Sequence, residues 1–144
     1  MNISDAGIKA IESYEGCRLT AYLDSVNVPT IGVGHTLGVK MGDVITQAQA
    51  EEFLRADLED AEYAVNKYVT VPLTQGQHDS LVSFTFNLGA GAFKGSTLLR
   101  MLNAGQYDAA ADQFLRWNQA GGVALAGLTK RRISERMMFL TGSP

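Results

Sequence analysis

The chain lacks paired cysteines and long apolar runs. The first absence excludes a scaffold held by internal disulfides, and the second excludes a membrane-spanning helix. Cys17 is the single cysteine among 144 residues, so no internal disulfide can form. The fold must therefore rest on a hydrophobic core, which a chain of this length can build as one domain. No segment approaches the roughly 20 apolar residues of a membrane-spanning helix. The first residues also lack the basic start and apolar run of a signal peptide, so we expect neither a leader nor membrane insertion.

An excess of positive charge is also missing. Twelve Lys and Arg against 15 Asp and Glu give a net charge of −3. This balance argues against a nucleic-acid partner, since such a partner usually selects a basic patch. Of the two histidines, His35 has no second ligand at a spacing typical of metal sites. We therefore predict no metal and no cofactor, and we interpret Cys17 as a small packing residue.

Turn and capping residues divide the first part of the chain into a helix, a small sheet and a long helix. Ser4 can cap a helix that runs to about Tyr14 and that Gly16 ends. Residues 17–35 mix apolar residues with turn residues, which is typical of a small antiparallel sheet. Thr46 opens a capping-box pattern, and the apolar repeat behind it predicts a helix of about twenty residues.

The rest of the chain has the pattern of a cluster of shorter helices. Their starts are predicted at Thr74, Ser96, Tyr107 and Thr129. The pair Gly121-Gly122 predicts a loop before the last helix. In that helix Ile133, Met137 and Leu140 recur at helical spacing, so we expect them to face the core. Strands near the N-terminus and helices elsewhere indicate the α+β fold class.

Two carboxylates and a hydroxyl stand close together around the predicted sheet. The pattern is Glu15-x8-Asp24-x5-Thr30, followed by Ile-Gly-Val-Gly-His. Paired carboxylates in different environments are the usual means of cleaving a glycosidic bond. The spacing alone is weak evidence, because a helix-end glutamate and a turn aspartate occur in many proteins.

The predicted positions of the two carboxylates suggest different chemical roles. Glu15 ends the first helix, where the negative end of the helix dipole and partial burial favour a protonated acid that can donate to a leaving oxygen. Asp24 lies in a polar turn and is expected to stay ionised, so that it can activate a water. Thr30, at the start of a strand, can help to orient that water.

The same segment closely resembles the catalytic region of phage-type lysozymes, the family 24 glycoside hydrolases. Further similar stretches follow in the family's order at residues 71–81, 84–89, 91–102, 114–117 and 127–136. Together they cover nearly the whole chain, which makes the resemblance far more specific than the three residues alone. The match is closer to the lambdoid-phage type than to the T-even type.

The resemblance implies a lysozyme-like fold, with one domain over residues 1–144 built from two lobes. A lobe with the sheet and a bridging helix would span about residues 15–60. A helical lobe would take residues 1–14 and 70–144.

The resemblance also implies a reaction, the hydrolysis of the β-1,4 bond between N-acetylmuramic acid and N-acetylglucosamine in peptidoglycan. Glu15 would be the acid, Asp24 the base and Thr30 the supporting hydroxyl. The family is thought to invert configuration, which requires carboxyl groups roughly 6.5–9.5 Å apart so that a water fits between them.

Further residues are nominated by the same resemblance. Positions that match the family's sugar cleft are Gly34, Thr36, Phe86, Asn87 and Ser96. Core packing is an equal alternative for Phe86, and Thr36 replaces an apolar residue that the family often has there.

Four more residues are expected to support the site. We expect His35 to pair with Asp57 as a structural contact. Arg131 or Arg132 is expected to pair with Glu15, as the family's equivalent arginine does; the alternative is a plain basic face near a helix start.

The resemblance suggests an endolysin that acts on peptidoglycan glycan strands as a monomer. It would accumulate in the host cytoplasm and reach the periplasm and cell wall at lysis, through a membrane hole made by a holin. Two alternatives stay open: a lytic transglycosylase, which needs only the acid, and a non-catalytic peptidoglycan-binding module of a phage tail. The presence of both Asp24 and Thr30 disfavours them.

Overall fold

The α+β fold class expected from the sequence is confirmed. A computed structural model describes residues 1–144 as eight α-helices, one short 3-10 helix and two two-stranded antiparallel sheets. Contacts divide the chain into two compact units, Ile8–Glu59 and the combination of Met1–Gly7 with Asp60–Pro144. The first boundary between these units lies inside the first helix. No helix combines the length and the apolar character needed to cross a membrane.

The first helix, α1, spans Asp5–Glu15 and ends two residues before the sheet segment. Its start is capped by the hydroxyl of Ser4, which accepts a hydrogen bond of 3.1 Å from the amide of Gly7. Its end is fixed by Gly16, which has φ +77° and donates its N–H to the carbonyl of Glu12 at 2.8 Å. Glycine adopts this left-handed conformation more easily than any other residue, so the helix ends directly after Glu15.

A hairpin follows α1 in the unit Ile8–Glu59. Strand β1 (Arg18–Leu23) pairs antiparallel with β2 (Pro29–Gly32), with an irregular register between Arg18 and Tyr22. The chain also runs along the other side of β1, because the amide of Ala21 bonds to the carbonyl of Asp43 at 2.9 Å. The small sheet predicted for residues 17–35 is therefore confirmed, with one further backbone segment at its edge.

The long helix predicted from Thr46 is interrupted. Thr46 forms the expected capping box at the start of α2 (Gln47–Asp57). At Leu58 the backbone ψ is −9°, whereas an α-helix has a ψ of roughly −42°, so the helix is interrupted there. A second helix, α3 (Glu59–Tyr68), begins directly after Leu58. The prediction of one continuous helix was wrong because periodicity reports which residues are buried, including Leu58, and not whether every helical hydrogen bond forms.

The second unit is almost entirely helical. After α3 come α4 (Gln75–Leu88), α5 (Ala90–Lys94), α6 (Thr97–Asn103), α7 (Tyr107–Gln113), a 3-10 turn (Phe114–Arg116), β3 (Gln119–Ala120), β4 (Val123–Ala124) and α8 (Ala126–Thr141). The ring of Phe84, on α4, lies at the centre of the core and makes edge contacts with three aromatic rings, those of Phe93, Phe114 and Trp117. Such edge-on arrangements are favourable for aromatic rings, and they join α4 to α5 and to the segment that follows α7.

The predicted inward face of the last helix was wrong. Ile133, Met137 and Leu140 are 52%, 44% and 43% exposed. The buried residues of α8 are Arg131, Arg132, Glu135, Met138 and Phe139. These five also lie on one helical stripe, so the helix does have a core-facing side, but charged residues occupy more than half of it. The helix begins at Ala126, three residues before the predicted start, and the expected loop before it contains the β3–β4 hairpin.

A buried aspartate on α4 holds the start of the chain. The amide of Ser4 donates to Oδ1 of Asp79 at 3.0 Å, the hydroxyl of Ser4 donates to Oδ2, and Gln75 donates to Oδ1 at 2.8 Å. Burial raises the pKa of Asp79, but hydrogen bonds from His78, Ser4 and Gln75 act in the opposite direction and hold it below its ordinary value. The carboxylate is therefore the form that the fold favours.

Candidate active site

Glu15 occupies the last position of α1, as the sequence predicts. Its side chain is exposed, so the partial burial that we expected is absent. The glycine that ends the helix follows at once, and the chain turns into β1 two residues later. An exposed carboxyl at a fixed helix end is accessible to a polymeric substrate, and the backbone hydrogen bond of Gly16 fixes where that helix ends.

Asp24 lies in the turn between β1 and β2, and backbone amides fix its carboxylate. Oδ1 accepts hydrogen bonds from Val26 at 2.9 Å and from Val28 at 2.8 Å. The turn is closed by the left-handed conformation of Asn27, with φ 63°, a conformation that asparagine tolerates better than most residues. Both bonds go to the same oxygen, so Oδ2 stays available to a water or a sugar.

Thr30 is joined to Asp24 through one carbonyl oxygen. The hydroxyl of Thr30 donates to the carbonyl of Val28 at 2.9 Å, and the amide of Asp24 donates to the same oxygen at 3.0 Å. Thr30 is buried on β2, where it is paired with Tyr22 in the register of the hairpin. Because the hydroxyl proton is used in this bond, the oxygen of Thr30 can only accept a hydrogen bond from a bound molecule.

The turn after β2 is supported by the expected pair of His35 and Asp57. Nδ1 of His35 lies 2.8 Å from Oδ2 of Asp57, and the imidazole stacks on Phe53 with ring centroids 4.2 Å apart. His35 is buried, and both partners lie on α2. The contact thus ties the sheet to the helix, which is a structural role. Gly34 and Thr36, on either side of His35, are exposed.

The lone cysteine beside this segment has the properties of a packing residue. Its thiol lies 3.7 Å from Oε1 of Gln47, whose amide group donates in turn to Glu12. Burial raises the pKa of Cys17, and the charges of Glu12 and Glu51 raise it further. The thiol is therefore held protonated, which removes the nucleophilic form.

The two nominated arginines lie in the helical unit and share a buried glutamate. Nε of Arg131 lies 3.2 Å from Oε2 of Glu135, and Nε of Arg132 lies 2.9 Å from Oε1. The hydroxyl of Ser83, on α4, donates to Oε2 at 2.5 Å. Burial raises the pKa of Glu135, and this outweighs the charges of Arg132 and Arg131 and the bond from Ser83, which lower it. A pairing of either arginine with Glu15 stays a prediction.

The remaining nominated residues differ in how many hydrogen bonds their side chains make within the protein. Ser96 is buried and caps α6, donating to the carbonyl of Phe93 at 2.7 Å and accepting from the amide of Leu99 at 3.1 Å. Both functions of its hydroxyl serve the backbone, which favours a structural role. Asn87 is half-buried and accepts one hydrogen bond, from Arg132, at 2.6 Å. Phe86, beside it on α4, is also half-buried.

Sequence reasoning missed the roles of Glu135 and Ser83. Both are fully buried polar residues, and such residues are normally exposed unless they are paired. One signal was available, since Arg131 and Glu135 stand at the i,i+4 spacing of a helical ion pair. Nothing in the sequence showed that this pair would face the core.

The exposed helix-end glutamate and the backbone-fixed aspartate, with the threonine joined to it, are the kinds of group that glycoside hydrolases with two carboxylates use. Residues 12–135 match the profile of the family described as phage lysozyme. This chain belongs to the phage lysozyme family.

Three relatives illustrate how much of the chain is shared. It is 48% identical to the endolysin of Bacillus phage B103 over 99% of its own length, but it spans 55% of that protein. It is 47% identical to the endolysin of Salmonella phage P22, with 98% and 99% of the two chains covered. The crystal structure of a point mutant of P22 lysozyme superimposes with a TM-score of 0.93 at 47% identity, covering 98% of this chain and 99% of that one.

A bacterial protein shares the fold as well. The muramidase domain of SpmX from Asticaccaulis excentricus superimposes with a TM-score of 0.89 at 42% identity, covering 97% of this chain and 98% of that one. The lysozyme-like fold predicted from the sequence motifs is thereby confirmed.

Proposed function

We propose that this chain is an endolysin of the muramidase type, which hydrolyses the β-1,4 bond between N-acetylmuramic acid and N-acetylglucosamine in peptidoglycan. Membership of the phage lysozyme family supports the proposal, as do the names of its relatives. The observation that carries it is the shared carbonyl of Val28, which holds Asp24 and Thr30 in one fixed arrangement.

The hydrogen bonds of this arrangement suit the activation of one water. Oδ2 of Asp24 is available to accept one proton of the water, and the oxygen of Thr30 can accept the other. With both protons directed away, a lone pair of the water faces the anomeric carbon. Attack from the side opposite the leaving sugar inverts the configuration.

The proton balance of the reaction assigns the role of proton donor to Glu15. Glu15 gives its proton to the glycosidic oxygen as the bond to the anomeric carbon breaks, and Asp24 takes a proton from the attacking water. The products are a reducing end on one fragment and a free hydroxyl on the other. Arg131 or Arg132 would hold the side chain of Glu15 in position by pairing with it.

Replacing Glu15 tests the function directly. Glu15→Gln keeps the size of the side chain but cannot donate a carboxyl proton, so we expect kcat to fall by about 10²–10⁴-fold while urea unfolding stays as in the wild type. The assay is the release of muropeptides from purified peptidoglycan, with Glu52→Gln on the exposed face of α2 as the matched control. Mass spectrometry of the products must show reducing ends; 1,6-anhydro ends would mean a transglycosylase instead, and unchanged release by Glu15→Gln would exclude the proposed acid.

The similarity to endolysins extends the proposal to release and assembly. The chain would act as a monomer and would pass from the host cytoplasm to the wall through a membrane hole that a holin makes. Expression with and without a holin tests this, since lysis should begin only when the holin is present, and light scattering should give the mass of one chain.

A further inference from the structure

The side-chain amide of Gln47 joins the two residues that flank the end of α1. Its NH₂ group donates to the carboxylate of Glu12, and its oxygen lies 3.7 Å from the thiol of Cys17. Glu12 stands three residues before Glu15, and Cys17 stands two residues after it. The amide therefore spans the stretch of chain that carries the exposed helix-end glutamate.

Hydrogen-bond chemistry allows this amide only one orientation. A carboxylate has acceptor atoms only, so the NH₂ group of Gln47 must face Glu12. The oxygen is then turned towards Cys17, whose raised pKa keeps the thiol protonated and able to donate. Both ends of the amide are thus used, and a flipped amide would lose both contacts.

The backbone that carries Gln47 is itself fixed on both sides. Gln47 is the first residue of α2 and directly follows the start of the capping box, in which Thr46 and Gln49 exchange hydrogen bonds of 2.9 and 3.1 Å. Just before it, the amide of Ile45 donates to the carbonyl of Leu19 on β1 at 2.9 Å. Gln47 therefore reaches α1 from a backbone position that is tied both to a helix start and to the sheet.

The end of α1 needs such an outside restraint. The last carbonyls of a helix have no partner within the helix, so the final turn tends to fray. Gly16 adds little packing, since a Cβ at this position would meet no atom within 4 Å beyond its chain neighbours. Glu12, by contrast, accepts twice: its carbonyl accepts from the amide of Gly16 at 2.8 Å, and its carboxylate accepts from Gln47. A hold on Glu12 is therefore a hold on the turn that ends at Glu15.

We propose that Gln47 is a positioning residue for the general acid Glu15. By holding Glu12 and Cys17 together, its amide keeps the last turn of α1 and the chain after it in one arrangement, within the same compact unit as Asp24. Glu15 releases its proton in the transition state, so looser positioning of the acid lowers kcat and leaves substrate binding nearly unchanged. The inference rests on the proposed function, because it takes Glu15 as the acid.

Removing the amide tests the positioning role. Gln47→Ala takes away both contacts without changing any charged group, so we expect kcat for muropeptide release to fall about tenfold, with KM changed by less than about twofold. The urea unfolding midpoint should stay near that of the wild type, because Gln47 is exposed and surface substitutions affect stability little. A loss of stability without a loss of kcat would mean a purely structural residue.

Gln49 supplies a matched control two residues further along α2. Gln49→Ala removes the bond from the amide of Thr46 but leaves the amide of Gln47 in place, and the hydroxyl of Thr46 still caps the helix. We therefore expect the reverse pattern, a lower urea midpoint with the wild-type kcat. An equal fall in kcat in both variants would show that any loosening of α2 slows the enzyme, and would overturn a specific role for Gln47.

An exchange of the two side chains gives a second test. Gln47→Glu places two carboxylates face to face and should lower kcat at least as much as Gln47→Ala. The double variant Glu12→Gln with Gln47→Glu restores a donor and an acceptor, and it keeps the net charge of −3 because one acid is lost and one is gained. We expect its kcat to return to within about threefold of the wild type.

The outcomes separate this inference from the proposed function. If the wild type releases no muropeptides, or if Glu15→Gln releases them as fast, the proposed function or its acid is wrong. If those tests succeed and Gln47→Ala keeps the wild-type kcat, the positioning role is overturned. The same holds if the double variant is no faster than Gln47→Glu alone.

Discussion

At the scale of single residues, hydrogen bonds distinguish the roles of side chains that the sequence motifs nominate together. Ser96 and Asn87 were nominated together as sugar contacts, yet the backbone uses both functions of the Ser96 hydroxyl, and the protein uses only one end of the Asn87 amide. Likewise, the sequence placed Asp24 in a turn but could not show that two amides occupy one of its oxygens. Which atoms of a side chain are hydrogen-bonded depends on backbone geometry, and the spacing of residues in the sequence does not encode that geometry.

Asp79 gives a residue-scale prediction about pH. Its pKa is lowered in the fold, so its contribution to stability is fully present above the unfolded value of about 3.9 and is lost as pH falls through the lower folded value. We expect the difference in unfolding free energy between the wild type and Asp79→Asn to be constant near neutral pH and to shrink below about pH 4. Urea unfolding followed from pH 7 to pH 3 measures it, and a difference that grows on acidification would contradict the lowered pKa.

At the scale of elements, the capping signals predicted helix starts correctly, whereas the apolar pattern did not predict which face of the last helix is buried. Thr46, Thr74 and Ser96 cap α2, α4 and α6 as predicted, because a cap is a local interaction within one turn. On α8 two stripes compete, one apolar and exposed and one charged and buried. Periodicity predicts that the apolar stripe is the buried one. Arg131 and Arg132 are buried instead because α4 supplies hydrogen-bond partners for them, Ser83 and Asn87.

The packing of α4 against α8 can be tested with two glycines at equivalent helical positions. Gly76 and Gly127 are each the second residue of their helix, α4 and α8. A Cβ at Gly76 would lie 2.6 Å from the Cα of Gly142 and 2.7 Å from the carbonyl of Met138, whereas a Cβ at Gly127 would meet nothing within 4 Å.

We therefore expect opposite effects from the same substitution. Gly76→Ala should destabilise the protein by about 1–3 kcal/mol, because backbone atoms cannot move aside cheaply. Gly127→Ala should leave stability unchanged or raise it by up to about 1 kcal/mol, since alanine favours the helix. Urea denaturation of both variants measures the two effects, and equal effects would contradict the close approach of the two helices.

At the scale of the whole molecule, family motifs in the right order predicted the fold, which the comparisons confirm. The boundaries of the two compact units depend on long-range contacts, and one of them falls within α1, where no change of composition marks it. Net charge was read directly from the sequence, and its negative sign bears on how the chain meets a negatively charged wall.

The net charge of −3 predicts an inverted salt dependence. Peptidoglycan carries carboxylates on its peptides, so wall and protein repel each other at low ionic strength, and added salt screens this repulsion. We expect the rate of muropeptide release to rise between about 10 and 150 mM NaCl, where the Debye length falls from roughly 30 Å to 8 Å. The double variant Glu52→Gln with Glu59→Gln, at exposed positions, should flatten the rise; a rate that falls with salt would show that local basic groups dominate.

The single thiol has a practical consequence. Cys17 stands two residues after Glu15, at the junction of α1 and β1, and no other cysteine competes with it. One fluorophore can therefore be attached to the unaltered chain at a known position near the acid and used to follow substrate arrival in real time. Because the pKa of this thiol is raised, the coupling needs a more alkaline buffer than an ordinary cysteine does, so that enough thiolate is present to react.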